Sequence, residues 1–364
     1  YETAAWTYDV YCSGGYAYLA EDWAGLRILD VSEPTAPIEV SCYYGNTPHC
    51  ATCVQVVDNY AYVADGEAGL RIVDVSDVTY PQEVGYYDTT GFSEWVHVVN
   101  NYAYVADGDE GLRIVDVSEP TNPQEVGHYN TPGYAEAVYV AGNYAYVADG
   151  DSGLRIIDVS DPYNPYEVGH HKVTFRYAAG VYVSGDYAYV TYRDDGLRII
   201  NVSEPTNPQQ VGYFAMSDAY GVYVVGDYAY VVGCWYGLSI VDVSDPTNPE
   251  EIGCWDEPNT PCGIYVVDDY AYVSNVSPAT MWIIDVSEPT EPEVVGYYKY
   301  YGRDYCDNGV QAGIYAVGGY VYLPMGKYGL HILENQLIGV AERACTFDIK
   351  TMMELGVVKF VIPQ

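Results

Sequence analysis

The sequence predicts an all-β protein, an eight-bladed β-propeller of four-stranded antiparallel blades. Three observations predict it. A Tyr-x-Tyr pair returns at Tyr16, Tyr60, Tyr102, Tyr144, Tyr187, Tyr228, Tyr270 and Tyr320, in steps of 41 to 50 residues. Short runs alternate apolar and polar residues with no helical period, and turn-forming residues separate them. A β-unit of about 42 residues cannot bury both its faces alone, and stacking copies around an axis buries them.

Each copy reads in the same order. A first strand such as "EAVYVAG" ends in a Gly, Asn or Asp turn. A second strand, "YAYVADG", leads through an acidic glycine turn to a third, "GLRIVDVS". The prolines of "EPTNP" then separate it from a fourth, "QEVGYY", where missing N–H groups do no harm. Strands one to three recur eight times, from "DVYC" (9–12) to "GLHILE" (329–334), but the fourth recurs only seven times. Blade 8 therefore has to be completed by the C-terminal tail or by another subunit. On this reading residues 1–336 are the propeller and 337–364 a β-prone tail for blade closure or intersubunit pairing. The tail offers Cys345, Phe347, Val358 and Phe360 for assembly by strand addition.

"GLRIVDVSEPTNPQEVG" and its siblings "GLRIVDVSDVTYPQEVG" and "GLSIVDVSDPTNPEEIG" closely resemble LVIVD-repeat proteins. The resemblance covers about residues 8–334. It implies a propeller and a place among secreted and surface proteins of bacteria and archaea, and it implies no single activity.

Composition narrows the function. The formal charge is -37, with 14 basic residues against 51 acidic ones. Such a field repels nucleic acid and anionic membrane surfaces. No apolar run is long enough for membrane insertion. There are 44 Tyr and only 5 Phe, and tyrosine suits a wall that is apolar on one side and wet on the other. The chain starts at Tyr1 without Met, which leads us to expect an extracellular or cell-surface protein whose signal peptide is gone.

Repetition disarms most of the apparent chemistry. A catalytic residue is needed once, whereas the third strand carries Arg27, Arg71, Arg113, Arg155 and Arg198, and Asp30, Asp74, Asp116 and Asp158. These are read as scaffold: Asp followed two residues later by Ser suits a side-chain-to-backbone turn, and Arg an ion pair with acids on a turn. "GDSG" (150–153) resembles a protease nucleophile motif, but Ser152 occupies the place of Glu110 and Ala68 in other copies. The acidic turns supply weak Ca2+ candidates in Asp107, Asp109, Asp149 and Asp151, although the spacing lacks an EF-hand's remaining ligands. Calcium is the one cofactor these turns suggest.

The informative residues lie where the repeat breaks. Propeller ligands sit where the crossovers between blades converge on the channel mouth. Here those loops supply His49, Glu94, Trp95, Glu136, Arg176, Tyr177, Asp218, Tyr220, Arg303 and Asp304. The cysteines also ignore the repeat. In an oxidising compartment Cys42 is expected to pair with Cys50 or Cys53, and Cys254 with Cys262, each across a crossover. The expected function is a structural and interaction protein, not an enzyme, that self-assembles through its tail or meets another surface protein or glycan. The alternative is a glycan- or peptide-binding, or enzymatic, propeller with its ligand at the channel mouth.

Overall fold

The computed structural model describes residues 7–21, 25–43, 50–233, 236–256, 261–275, 280–299, 315–317, 320–324 and 330–334. The chain divides into two compact units: Ala5–Tyr300, and Tyr301–Gln364 with Tyr1–Ala4. The first unit contains seven four-stranded antiparallel sheets, each a meander in sequence order. Their first strands, Thr7–Ser13, Cys53–Val57, Trp95–Val99, Ala137–Ala141, Ala178–Ser184, Ala219–Val225 and Pro261–Val267, contact one another in succession and surround the axis.

The repeated words explain the blade. In the second strand, Ala17, Ala61, Ala103, Ala145, Ala188, Ala229 and Ala271 are fully buried, and the tyrosine that follows each is 4–5% exposed. Both faces of each blade are thus covered by its neighbours, and seven apolar clusters fill the seven gaps. Between third and fourth strands the register slips once in every blade, for example between Ile114 and Val115. Such a bulge adds twist to the outer edge.

The glycine of "EVG" makes the joint between blades. A Cβ on Gly127 would stand 2.1 Å from the Pro162 carbonyl oxygen of the next blade, and Gly85, Gly169, Gly212 and Gly253 meet the next blade's proline carbonyl in the same way. Blade 1 has Ser41 in this slot, and its hydroxyl donates to the Val78 carbonyl at 2.5 Å.

The expected eight blades are corrected to seven. A Cβ on Gly296 of the seventh sheet would stand 2.1 Å from the Pro34 carbonyl of the first. Val10, Leu19 and Leu29 share one apolar cluster with Tyr272, Met281 and Ile283. The ring therefore closes between blades 7 and 1, and no fourth strand from the tail or another subunit is needed in it. The eighth copy's strands, Tyr315–Val317, Tyr320–Pro324 and Leu330–Glu334, form a three-stranded sheet in the other unit. The physical reason is that repetition counts sheets. How many sheets close a ring depends on the rotation at each joint, which packing sets. Cys345, Phe347, Val358 and Phe360 lie outside the described residues, as do His49, Arg303 and Asp304.

Candidate functional site at the channel mouth

The recurring acids and arginines are fasteners. Asp30, Asp74, Asp116, Asp158, Asp242 and Asp285 each accept the N–H of the serine two residues on at 2.9 Å, and Asn201 accepts that of Ser203 at 3.0 Å. Arg113 reaches Glu110 at 2.7 Å and Asp107 at 3.6 Å within its own blade. Arg155 likewise pairs with Asp149 and Glu167.

The acid that opens the "DGxxG" turn ties down the crossover entering its blade. Asp107, fully buried, accepts the hydroxyls of Thr89 (2.6 Å) and Ser93 (3.0 Å) and the N–H of Gly91 (2.9 Å). Asp149 accepts the Thr131 hydroxyl and the Gly133 N–H (2.9 Å). These carboxylates are thus engaged by protein donors. Asp109 and Asp151 stand on the exposed side of the same turns. Among the described residues no group of three or more His, Cys, Asp or Glu is placed to hold a metal ion.

Among the described residues no disulfide links the expected pairs, Cys42 with Cys50 or Cys53 and Cys254 with Cys262. Cys42 stands on an outermost strand, Ile38–Tyr43, and Cys53 on an innermost one, Cys53–Val57. Cys254 and Cys262 are separated in the same way, on Glu250–Trp255 and Pro261–Val267. A crossover runs from rim to axis, across a sheet width of about 14 Å, beyond disulfide reach. Cys53 is buried and accepts the Val96 N–H at 3.5 Å; the Cys262 thiol donates to the Tyr8 carbonyl at 3.1 Å.

Aromatic side chains gather at mid-depth in the channel. The equivalent position of each first strand holds Tyr11, Gln55, His97, Tyr139, Tyr182, Tyr223 and Tyr265. Consecutive rings from His97 through Tyr265 to Tyr11 lie 4.6–5.0 Å apart between centroids. Gln55 continues the series by accepting the Val98 N–H at 2.6 Å. His97 accepts the Val140 N–H on Nδ1 at 2.8 Å, and burial holds its pKa down to about 4, so it is neutral at ordinary pH. Burial raises the phenols of Tyr139, Tyr182, Tyr223 and Tyr265, Tyr182 to about 12.

Three residues upstream of this ring, at the crossover side, the repeat breaks. The seven positions are Tyr8, Thr52, Glu94, Glu136, Ala179, Tyr220 and Cys262. The two glutamates are adjacent and each receives a tyrosine from the next crossover. Tyr134 donates to Glu94 Oε1 at 2.7 Å, and Tyr177 to Glu136 Oε1 at 2.5 Å. Arg193 Nη2 donates to Glu136 Oε2 at 2.9 Å, while its guanidinium lies 4.5 Å from the Tyr177 ring centroid and 5.1 Å from that of Tyr220. Burial, then the nearby charge of Glu136, push Glu94 up to about 7 against the lowering effects of Tyr134 and Arg193. Burial and the bonded carboxylates raise Tyr134 and Tyr177 as well.

Four sequence candidates therefore converge: Glu94, Glu136, Tyr177 and Tyr220. Arg176 pairs with Asp195 at 3.2 Å. Trp95 is packed against the apolar clusters of three blade interfaces, a wall role. Asp218 takes a left-handed backbone conformation, φ 53°.

Seven successive segments, 6–44, 50–89, 90–131, 132–173, 175–215, 217–257 and 260–299, match the model of the LVIVD repeat. The chain belongs to the LVIVD repeat family. No curated protein matches it. Among solved structures, a functionally unknown protein from Desulfotomaculum acetoxidans DSM 771 superposes with a TM-score of 0.64 at 10% identity, over 78% of this chain and 95% of that one. The computationally designed Ika8 protein gives 0.60 at 8% identity, over 91% and 96%. BamB from Moraxella catarrhalis gives 0.53 at 11%, over 92% and 95%. At these identities the likeness concerns the fold.

Against the LVIVD pattern, Tyr134 and Arg193 are the site residues that loop variability missed. Arg193 stands where the repeat has the turn glycine, and Tyr192 where it has the crossover-binding aspartate. The signal was present as "YRDDG" in place of "DGDEG". A second change matches it: the crossover threonine seen as Thr89 and Thr131 becomes Val173, which packs in the same cluster as the buried Tyr192. An aspartate–threonine bond is replaced by a tyrosine–valine contact, and this blade is thereby free to send an arginine over the mouth.

Proposed function

We propose that this LVIVD propeller is an extracellular interaction protein that binds its partner at the crossover-side mouth of the channel. One observation carries the reading: the Glu94, Tyr134, Glu136, Tyr177, Arg193 and Tyr220 network, drawn from four blades, occurs where the repeat is abandoned. Side chains with a merely structural task recur from blade to blade here, as the serine-capping aspartates do. The network contains carboxylates, phenols and a guanidinium and lies above the aromatic ring, an arrangement that suits recognition. The absence of an activated nucleophile in this network favours binding over catalysis.

The test compares the full chain with an E94Q/E136Q/R193M variant on printed glycan and peptide arrays, with thermal melts to confirm folding. The expected result is a set of features bound by the wild type and lost by a folded variant. Binding that is indifferent to these substitutions, and abolished instead by deleting residues 337–364, overturns the proposal in favour of tail-mediated assembly.

A further inference from the structure

We infer that the mouth recognises an ammonium group, carried by a lysine side chain or a small alkylamine, with Glu94 as its counter-ion and the neighbouring phenol rings as its walls. This rests on the mouth being the binding face.

The donors and acceptors of the network decide the ligand class. The Tyr134 hydroxyl, the Tyr177 hydroxyl and Arg193 Nη2 all point into carboxylates. Of the donors a sugar or an anion would need, both phenol hydroxyls and Arg193 Nη2 are engaged, and Arg193 Nε, which has no partner among the described residues, is buried. What the site has left is acceptor capacity and aromatic faces. Glu136 has its own cation in Arg193 at 2.9 Å, whereas among the described residues Glu94 forms no ion pair and receives one hydrogen bond, from Tyr134. Among the described residues, then, one carboxylate at the mouth forms no ion pair of its own and shares only the field of Arg193. An ammonium is the matching group: three donors, no acceptor and one positive charge.

Two further features agree. Arg193 already lies against the rings of Tyr177 and Tyr220, so the phenols here accept a cation on their faces. The floor, three residues deeper and about 10 Å along the strands, repels no cation, because His97 is kept neutral by burial and uses Nδ1 to accept the Val140 N–H. Around the site, a formal charge of -37 draws cations toward the protein.

Proton linkage gives the inference a signature. The groups facing Glu94 are Tyr134, Glu136 and Arg193, and burial with Glu136 raises Glu94 to about 7. A ligand that binds the ionised form loses affinity by about tenfold per pH unit below that value.

The experiment titrates the full chain calorimetrically with Nα-acetyl-lysine methylamide, its neutral Nε-acetyl derivative, n-butylamine and a lysine-rich peptide, at pH 6 and pH 8. The expected results are binding of the charged probes, no binding of the acetylated one, weakening of about tenfold at pH 6, and loss of at least about tenfold in E94Q. E94Q keeps the acceptor for Tyr134, and its thermal melt confirms folding. Butylamine as tight as the lysine derivative assigns a small amine; a peptide far tighter than both assigns a protein lysine. Equal binding of the acetylated probe, or E94Q unchanged at pH 8, overturns the inference. A neutral array ligand lost by the triple variant while amines fail to bind overturns it and leaves the mouth reading standing.

Discussion

Gly296 and Pro34, 262 residues apart, lie in contact across the last joint of the ring: a Cβ on Gly296 would meet the Pro34 carbonyl oxygen at 2.1 Å. An alanine there must push two blades apart. Gly296→Ala is expected to cost about 1–3 kcal/mol by overpacking, close to the effect of Gly127→Ala at an interior joint. Urea denaturation of both variants measures it. A neutral Gly296→Ala beside a costly Gly127→Ala would mean the ring is open between blades 7 and 1.

Tyr192 is fully buried and its hydroxyl has no hydrogen-bond partner among the described residues. Removing that oxygen removes an unsatisfied polar group, so Tyr192→Phe is expected to be neutral or to stabilise by up to about 1 kcal/mol. Tyr192→Asp should destabilise by more than about 2 kcal/mol, because Val173 gives the carboxylate nothing. Val173→Thr added to Tyr192→Asp should recover part of the loss, and a double-mutant cycle quantifies the coupling. Additive effects would refute the exchange of one pair for the other.

Two sets of carboxyls in the propeller unit have opposite pH behaviour. Burial raises Asp9 to about 6 and Asp65 and Glu94 to about 7. Their folded-state pKa exceeds the unfolded value of about 4, so the stability they confer is complete below that value and is lost as pH rises to about 7. Asp30, Asp77, Asp158, Asp242, Asp245 and Asp285 are lowered by hydrogen bonds from Ser or Thr, so their contribution is lost as pH falls below about 4. Thermal stability should therefore peak near pH 4–6 and decline toward pH 8, and E94Q should soften the decline. A melting temperature that climbs from pH 5 to pH 8 would contradict the assignment.

Thiol reactivity should follow the radial order of the blades. Cys254 is exposed on an outermost strand, while Cys12 and Cys53 are buried and burial raises their pKa well above the ordinary value. Among these three, iodoacetamide should label Cys254 first and the other two only on unfolding, as peptide mass spectrometry would reveal. Early labelling of Cys53 would place it elsewhere.

The parts of the fold that repeat were legible in the sequence, because each blade restates the same local physics. The serine-capping aspartates and the pairing of Arg113 with turn acids follow from spacing alone. Glu94, Glu136, Tyr177 and Tyr220 were legible for the opposite reason, as departures in loops that converge. Arg193 was hidden because it lies in a hairpin turn and reaches Glu136 from the neighbouring blade, 57 residues away. The cysteine pairs were not legible, because closeness along a crossover says nothing of the distance between rim and axis. The blade count misled because an eighth copy of a word fixes no angle.

The glycine-against-carbonyl joint has a consequence for how such rings change over generations. Six joints use it and the seventh replaces it with Ser41 and Val78, so the joint between the last blade and the first needs no special clasp of exchanged strands. A ring without a designated opening has no obligatory beginning. A gene duplication can add a whole copy without inventing a new way to close, and cutting the chain at another crossover while joining its old ends should give a circular permutant that still folds. The surplus copy after the ring is the kind of spare part from which such a lineage could build its next size.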